Sequence, residues 1–203
     1  TDNTIGVNHT DPDDVFNASP NWWGSATGPS TSQVIGNVNY IPWCSLADCS
    51  QTAGPVTNTT QHKGYATIQA AIDEANPGDT ITVAAGTYAE TLTINKRLTL
   101  LGPNAGISPI TGTRGDEAVI SYPAGITADK DLVSIAADGV TIDGFTMDGK
   151  DLNATLWGEG IYSEGNNLTV KNNIVKNFRQ IGIRAAALYG GPYFTGALIE
   201  NNK

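Results

Sequence analysis

Hydrophobic and polar residues follow their clearest pattern between Tyr65 and Gly106. At the start of this stretch, apolar residues recur at the i, i+3, i+4, i+7 spacing of one helical face: Ile68, Ala71, Ile72 and Ala75. The turn-forming run Asn76-Pro77-Gly78-Asp79 follows at once and cannot continue a helix. The pattern therefore predicts a short amphipathic helix over residues 67–75.

Short strands are predicted directly after this helix. Over residues 80–83, 91–94 and 98–101, β-branched or aliphatic residues alternate with threonine, and Gly86-Thr87 and Asn95-Lys96 separate these runs. A short helix ahead of short, turn-separated strands is the arrangement expected for a lid on a stack of strands.

The second half of the chain contains an internal repeat. Three tripeptides match with steps of 28 and 29 residues: Ile142-Asp143-Gly144, Val170-Lys171-Asn172 and Ile199-Glu200-Asn201. Two others, Gly160-Ile161-Tyr162 and Gly182-Ile183-Arg184, match with a step of 22. Periods of about 20 to 50 residues indicate stacked units that bury their apolar faces against one another.

Asparagine recurs at the turns of this repeat, at Asn172, Asn173, Asn201 and Asn202. One interpretation is a ladder of side-chain hydrogen bonds between stacked turns. Another is that asparagine tolerates the left-handed backbone of a tight turn. The sequence leaves both open, and both suit the same fold.

The run TIQAAIDEANPGDTITVAAGTYAE, residues 67–90, resembles the opening of right-handed parallel β-helix proteins, the pectin-lyase-like superfold. The run NWWGSATGP, residues 21–29, resembles a motif near the C-terminal end of such helices. The resemblance implies an all-β, right-handed parallel β-helix solenoid with a short N-terminal capping α-helix. It carries little information on activity, because this fold hosts many chemistries.

Three segments follow from these patterns. Residues 1–43 form a terminal β-helix coil segment, called here the N-terminal segment. Residues 44–64 have little apolar content and no period, and are predicted to be a linker with a small disulfide loop. Residues 65–203 form the β-helix, with the helical lid at 67–75.

The two ends of the predicted stack differ, and this difference suggests a function. The helix covers the first coil, whereas Leu198 to Lys203 are followed by no cap in this sequence. The run Asn3-Thr4-Ile5-Gly6-Val7 resembles Arg179-Gln180-Ile181-Gly182-Ile183 and reads almost as the continuation of that last coil. We therefore expect a non-enzymatic, exported structural subunit that assembles head to tail into an extracellular filament.

In this hypothesis the N-terminal segment of one copy completes the open coil of the next, so the partner is a second copy of the chain. The residues expected at the contact are apolar or aromatic: Ile5, Val7, Phe16, Trp22, Trp23, Leu198 and Ile199. Two alternatives use the same facts. The chain is a fragment of a tandem β-helix adhesin, or the N-terminal segment folds back onto its own open coil.

Charge and composition limit the classes of molecule that this chain could bind. The net charge is −9 with 11 Lys plus Arg, so nucleic acid, an anionic membrane surface and acidic polymers are disfavoured. No apolar run is long enough to span a bilayer. Only 15% of the residues are charged and glycine is abundant, a profile typical of an exported β-rich chain.

Cysteines and glycosylation sequons also favour an extracellular location. Cys44 and Cys49 lack metal-site spacing, and a small disulfide loop is the preferred interpretation. Five Asn-x-Ser/Thr sequons make the chain a candidate glycoprotein: Asn8, Asn17, Asn58, Asn153 and Asn167.

Catalytic and metal-binding patterns are weak. Asp11, Asp13 and Asp14 are the best candidates for a Ca²⁺ site, although a solvated turn is the preferred interpretation. No cofactor is otherwise expected. Asp143, Asp148 and Arg184 are interpreted as turn or surface residues, and the two histidines, His9 and His62, are isolated. The superfold that this chain resembles includes pectin methylesterases, but the glutamine and aspartate residues of their site have no matching motif here. A polysaccharide lyase, which the resemblance implies would use clustered acids to hold Ca²⁺ and an Arg or Lys to take the proton, is kept as the enzymatic alternative.

A carbohydrate-binding protein is the remaining alternative. Four aromatic residues fall in or beside predicted turn insertions: Trp157, Tyr162, Tyr189 and Tyr193. Exposed rings at such positions stack on sugars, which would make surface glycans a partner, whereas buried ones pack the turn onto the barrel.

Overall fold

A computed structural model of the chain describes residues 6–153, 155–186 and 195–203. Most of its regular structure is strand, with one short α-helix and one turn of 3₁₀ helix at Gly149–Asp151. The first eight strands are β1 (Val7–His9), β2 (Phe16–Asn17), β3 (Val34–Gly36), β4 (Val38–Asn39), β5 (Trp43–Cys44), β6 (Thr52–Ala53), β7 (Val56–Asn58) and β8 (Lys63–Tyr65). The helix α1 (Ile68–Glu74) follows. The remaining strands are β9 (Thr80–Val83), β10 (Gly86–Ala89), β11 (Leu92–Ile94), β12 (Thr99–Leu101), β13 (Ala118–Ser121), β14 (Val133–Ile135), β15 (Thr141–Asp143), β16 (Thr146–Asp148), β17 (Ile161–Ser163), β18 (Thr169–Lys171), β19 (Ile174–Lys176), β20 (Ile183–Ala185) and β21 (Leu198–Glu200).

From β9 onward the strands form three sheets that the chain visits in a constant order. Sheet 1 runs β21-β18-β15-β12-β9 and continues into β7 and β8, sheet 2 is β10-β13-β16-β19, and sheet 3 is β11-β14-β17-β20. Every pairing among β9 to β21 is parallel. One pass through the three sheets is called a rung below. The all-β class and the stacked parallel sheets predicted from the sequence are confirmed.

Strand register agrees with the internal repeat. Ile142 pairs with Val170, and Val170 with Ile199, as the steps of 28 and 29 residues predict. In sheet 3, Tyr162 pairs with Arg184, in agreement with the step of 22. The repeat can therefore be used to assign which residues lie beside each other on successive rungs.

The turns after the last three sheet 1 strands, β15, β18 and β21, show both roles considered for asparagine. Gly144, Asn172 and Asn201 occupy the same place on successive rungs, with left-handed φ values of 83°, 55° and 52°. A Cβ on Gly144 would lie 2.1 Å from the Ala105 nitrogen, so this rung requires glycine.

The next residue of each turn forms the ladder. The Asn173 Oδ1 atom accepts a hydrogen bond from the Phe145 N–H at 2.9 Å, and the Asn202 Oδ1 atom accepts one from the Asn173 N–H at the same distance. The Asn173 and Asn202 amides also donate to carbonyls of the preceding rung, Ile142 at 3.1 Å and Val170 at 2.9 Å. Each rung thus satisfies buried backbone groups of the rung before it.

The core lies between the three sheets. Aliphatic and aromatic side chains from successive rungs are almost fully buried, among them Ile81, Leu92, Leu100, Ile120, Ile135, Ile142, Phe145, Met147, Ile161 and Val170. Burial of this kind stabilises the fold by roughly 25 cal/mol for each Å² of apolar surface removed from water. No single rung could bury these residues on both sides by itself.

The helix α1 begins and ends close to its predicted bounds. The Thr67 hydroxyl caps it by accepting from the Ala70 N–H at 3.2 Å, and the Glu90 carboxylate accepts from the Ile68 and Gln69 N–H groups at 2.9 Å each. Ile68, Ala71 and Ile72 are buried, and α1 packs against β7, β8, β9 and β11. It therefore covers the first rung, at the opposite end of the sheets from β19, β20 and β21.

Residues 44–64, predicted to be a linker, contain strands. The strand β7 pairs antiparallel with both β8 and β9 and extends sheet 1 beyond its first parallel strand. Val56 and Asn58 are fully buried there. The sequence signal is weak because these strands are short and rich in threonine, asparagine and glycine. The division into three segments itself stays a prediction.

The N-terminal segment has the same strand arrangement on a smaller scale. The strand β1 pairs parallel with β3 and β2 pairs parallel with β4, while the Cys44 N–H donates to the Asn21 carbonyl at 3.0 Å. These contacts form two short rungs. The segment does not pair with β19, β20 or β21 in the described chain.

Opposite charges alternate along two outer columns of the sheets. In sheet 1 the sequence Asp143, Lys171, Glu200 lies on successive rungs, and the Lys171 Nζ atom is 3.7 Å from Asp143 Oδ2. In sheet 2 the Lys176 Nζ atom lies 3.6 Å from Asp148 Oδ2. Both aspartates are thus held in ion pairs between rungs.

Candidate assembly surfaces

The outer edge of the last rung is one candidate surface. The strands β19, β20 and β21 each have a strand on one side only. On the outer side of β19 the Val175 N–H donates to the Lys203 carbonyl at 2.8 Å, so β20 and β21 form the open part of this edge. Leu198 and Ile199 of β21 are both 46% exposed, and Ile181 before β20 is 37% exposed. We call this surface the body edge.

The other candidate surface lies on the N-terminal segment. The strands β1 and β2 are also paired on one side only, by β3 and β4. Beside them Val15, Phe16 and Trp22 are exposed by 56%, 47% and 38%. Val7 is half-buried in β1. We call this surface the segment edge; Ile5, predicted for the same contact, lies outside the described residues.

Exposed apolar side chains concentrate at these two edges. Ten large hydrophobic residues are exposed in the described part of the chain. Four belong to the N-terminal segment, Val15, Phe16, Trp22 and Ile35, and three to the last rung, Ile181, Leu198 and Ile199. Clustered apolar exposure marks interaction surfaces, whereas single exposed residues are normal.

Two tryptophans stabilise the loops of the N-terminal segment from inside. The Trp43 ring packs against Gly28, whose φ is +84° and whose absent Cβ would lie 2.6 Å from that ring. Its Nε1 atom donates to the Ala26 carbonyl at 3.0 Å. Trp23, which is predicted as an interface anchor, is half-buried and packs against Gly6. Of the neighbouring residues Trp22 and Trp23, only Trp22 is exposed.

The acidic turn of the N-terminal segment is solvated. Asp11, Asp13 and Asp14 are exposed, the Asp13 N–H donates to Asp11 Oδ1 at 3.0 Å, and Asp14 Oδ2 lies 3.8 Å from His9 Nε2. Across residues 6–153, 155–186 and 195–203, no three His, Cys, Asp or Glu side chains converge as metal ligands. The aspartates predicted as a Ca²⁺ site are therefore not brought together as one.

Cys44 and Cys49 form the predicted disulfide, with the two Cα atoms 4.8 Å apart. The Cys44 side chain is fully buried. The loop joins the N-terminal segment to β6, where the Thr52 N–H donates to the His62 carbonyl at 3.0 Å. His62 is therefore part of this junction through its backbone.

The five sequons differ in exposure. Asn8, Asn17, Asn153 and Asn167 are exposed. Asn58 is fully buried, and its amide donates to Asp79 Oδ2 at 2.8 Å, which leaves no room for a glycan in the folded chain.

Arg184, expected to be a surface residue without acidic neighbours, contacts Glu159 of the preceding rung. Its Nε atom lies 3.0 Å from Glu159 Oε2, an ionic contact without hydrogen-bond geometry, and its guanidinium lies 4.6 Å from the centre of the Tyr162 ring. Burial raises the pKa of Glu159, and the charge of Arg184 opposes this rise without cancelling it. The cluster was missed because its members come from different rungs, although the repeat already places Tyr162 beside Arg184.

Two of the four aromatic residues predicted to contact sugars lie in the described part of the chain, and they differ in exposure. Trp157 is 61% exposed, whereas Tyr162 is half-buried and donates to Glu164 at 2.6 Å. Tyr189 and Tyr193 lie outside the described residues.

The family assignment rests on most of the chain. The sequence profile of a family described as proteins of unknown function, DUF1565, matches residues 52–203. The chain belongs to the DUF1565 family. This family is associated with parallel β-helix-like proteins, in agreement with the parallel sheets, and the match begins at β6, inside the predicted linker. No curated protein and no solved structure matches the chain.

Two further findings bear on location. Among the described residues, no helix is long and apolar enough to cross a membrane. The disulfide is of a kind that persists in oxidising compartments and is consistent with an extracellular DUF1565 protein.

Proposed function

We propose that this DUF1565 chain is a right-handed parallel β-helix and an extracellular structural subunit that assembles head to tail. The segment edge of one copy adds to the body edge of the next, with β1 beside β20 and β2 beside β21. The observation that carries the proposal is the pair of half-paired, apolar strand edges on opposite parts of the chain.

Strand spacing supports the match between the two edges. The steps from β4 to β5, from β15 to β16 and from β18 to β19 are each five residues. The step from β1 to β2 is nine residues, against eight from β14 to β15 and from β17 to β18. The N-terminal segment thus shares two of these steps with the body, while its step from β3 to β4 is four residues instead of eight.

The chemistry of the edges also favours strand addition. An unpaired strand edge offers a row of N–H and C=O groups, and main-chain hydrogen bonds to an added strand supply affinity. The apolar residues Phe16, Leu198 and Ile199 would then lie at the edge of a continuous core, where their exposed surface is removed from water. Charges of both signs lie at the body edge, where Arg184 and Lys176 are paired with acids of the preceding rung and Glu200 is exposed, whereas Asp11, Asp13 and Asp14 flank the segment edge; the apolar residues therefore carry the match.

A contact between two different surfaces is heterologous, so it propagates unless the rotation between copies closes a ring. The expected product is a filament with one chain per axial repeat. A tandem array in which the same contact joins successive repeats of one longer polypeptide is the alternative arrangement.

Two edge variants test the proposal: Phe16→Asp on the segment edge and Ile199→Asp on the body edge. Light scattering and electron microscopy are expected to show filaments for the unmodified chain and monomers for each variant alone. Because each variant keeps one intact edge, an equimolar mixture is expected to form a one-to-one dimer and no larger species. Ile110→Asp is the matched control, since Ile110 is 63% exposed but lies in the loop after β12.

A monomeric unmodified chain at high concentration would contradict filament formation by separate copies. If, in addition, the mixed Phe16→Asp and Ile199→Asp variants formed no dimer, the proposed edge contact itself would be wrong. Circular dichroism of each variant shows whether the strands are retained.

A further inference from the structure

Two cavities border one exposed aromatic ring on the side of the sheets, and a third cavity shares lining residues with one of them. Trp157 separates a cavity of about 430 Å³, lined by Leu152, Thr155 and Arg179, from one of about 250 Å³, lined by Asp129, Asp131 and Glu159. A third, of about 220 Å³, continues past Lys150 and Phe178. Together they form a groove with Trp157 at its centre, called here the Trp157 groove.

The position of Trp157 follows from the stacking of rungs. The Trp157 N–H donates to Asp129 Oδ1 at 2.7 Å, and the Glu159 N–H donates to Asp131 Oδ1 at 2.9 Å. These hydrogen bonds anchor the backbone on both sides of the ring, while the ring itself is 61% exposed. A large aromatic side chain is thus presented to solvent on a fixed backbone.

Spare hydrogen-bonding groups of both kinds line the groove. Asp129 and Asp131 each use one carboxylate oxygen for the backbone, which leaves the second oxygen as an acceptor. Arg179, Gln180 and Lys130 supply donors around the same ring. Glu159 is buried, and its Oε2 atom has an ionic contact with Arg184 but no hydrogen bond.

This combination discriminates between ligand classes. A polyanion would face three carboxylates, and a polycation would face arginine and lysine. A flat, wholly apolar ligand would desolvate charged groups without replacing their hydrogen bonds. A neutral sugar has an apolar C–H face for the indole ring and hydroxyl groups that both donate and accept.

We propose that the Trp157 groove binds a neutral oligosaccharide, with one pyranose ring stacked on Trp157 and its hydroxyl groups bonded to Asp129, Asp131 and Arg179. Trp157 belongs to neither edge, although Arg184 both lines the groove and flanks the body edge, so the site can be tested in a monomeric variant.

Titration calorimetry of the unmodified chain with neutral gluco-, manno-, xylo- and chito-oligosaccharides tests the inference. Binding of at least one neutral series is expected, together with a change in tryptophan fluorescence. In Trp157→Ala the Kd should rise by about tenfold or more, equivalent to about 1.4 kcal/mol. In Trp157→Phe, which keeps an aromatic face, a smaller rise is expected.

Two controls separate the site from general adhesion and from assembly. Ile110→Ala removes an equally exposed hydrophobic side chain outside the groove and should leave the Kd unchanged. The monomeric edge variant Ile199→Asp should retain saccharide binding, so failure of either proposal is seen separately. Binding of acidic oligogalacturonides alone, an unchanged Kd in Trp157→Ala, or no binding by any neutral series would each overturn the inference.

Discussion

The stacked body and the N-terminal segment use the same strand pairing with different results. In the body, each interior rung has a rung on both sides, and residues such as Phe145 and Met147 are fully buried. In the N-terminal segment only two short rungs pair, and Phe16 and Trp22 stay exposed. Parallel pairing alone therefore does not make a core; a rung needs neighbours on both faces of its stack.

The largest expected effect compares one phenylalanine from each region. Phe145→Ala removes a fully buried ring and should lower the free energy of unfolding by about 3–5 kcal/mol. Phe16→Ala should change the stability of the monomer little, because nearly half of that side chain is already in water. Urea unfolding of the two variants, made monomeric by Ile199→Asp, measures the difference. Equal losses would mean that the N-terminal segment has a core of its own.

Ion pairs also differ between the stacked body and the N-terminal segment. The Arg114 guanidinium binds both oxygens of Glu117, at 2.7 and 2.8 Å, and also the Ile107 and Asn172 carbonyls. Arg114→Met leaves a partly buried carboxylate without its partner and should cost about 3 kcal/mol by thermal unfolding.

The control for this prediction comes from the N-terminal segment. Asp14 lies 3.8 Å from His9 and its side chain is 72% exposed, so Asp14→Asn should leave the unfolding temperature unchanged. If Asp14→Asn lowered the unfolding temperature more than Arg114→Met, the stabilising ion pairs would not lie in the body as stated.

The asparagine ladder allows the same test within the body. Asn173 is fully buried between two rungs, whereas Asn202 belongs to the outermost rung. Asn173→Ala leaves the Phe145 N–H without its acceptor and should cost about 1–3 kcal/mol. Asn202→Ala should cost less, since its rung opens more readily to water. Native-state hydrogen exchange at the Phe145 amide distinguishes loss of the ladder from a general loss of stability.

Acid provides the smallest expected effect. Burial raises the pKa of Asp79, but hydrogen bonds from the Asn58 amide and the Asn76 N–H, with a third from Gln61, outweigh it, so the pKa lies below the ordinary value of 3.8. A carboxyl group whose pKa is lowered by folding stabilises the folded state at pH values above its pKa in the unfolded chain. That contribution is lost as the pH falls through its folded value.

The free energy of unfolding should therefore fall as the pH drops below 3.8. It is measured between pH 7 and pH 2, about three units above and two units below the ordinary carboxyl pKa. Asp79→Asn removes the group and should flatten part of this dependence, whereas Asp11→Asn, in the exposed turn, should not. An identical acid profile in Asp79→Asn would show that other carboxyl groups account for it; Glu117, whose pKa is lowered chiefly by Arg114, is the next one to test.

Local patterns predicted the parts of the fold that depend on local spacing. The helix α1 was found because its apolar residues follow a helical period, and the pairing of Ile142 with Val170 was found because the repeat is read along one chain. The strand β10 was missed because Gly86-Thr87 looks like a turn, although Tyr88 in it is buried.

The candidate sites were only partly predictable, for a physical reason. Leu198 and Ile199 were predicted as contact residues from the repeat, and both are exposed in the structure. The contact between Glu159 and Arg184 does not, since it joins residues 25 positions apart whose distance depends on the length of the intervening turns. The two short rungs of the N-terminal segment depend on a long loop in the same way.

The alternating column Asp143, Lys171, Glu200 restricts how the length of this protein can change in evolution. Deleting the middle rung would bring two carboxylates face to face, and duplicating it would do the same to two lysines. If rungs are gained or lost two at a time, negative and positive side chains still alternate along the column. Relatives of different size should therefore differ by even numbers of rungs wherever this column is retained.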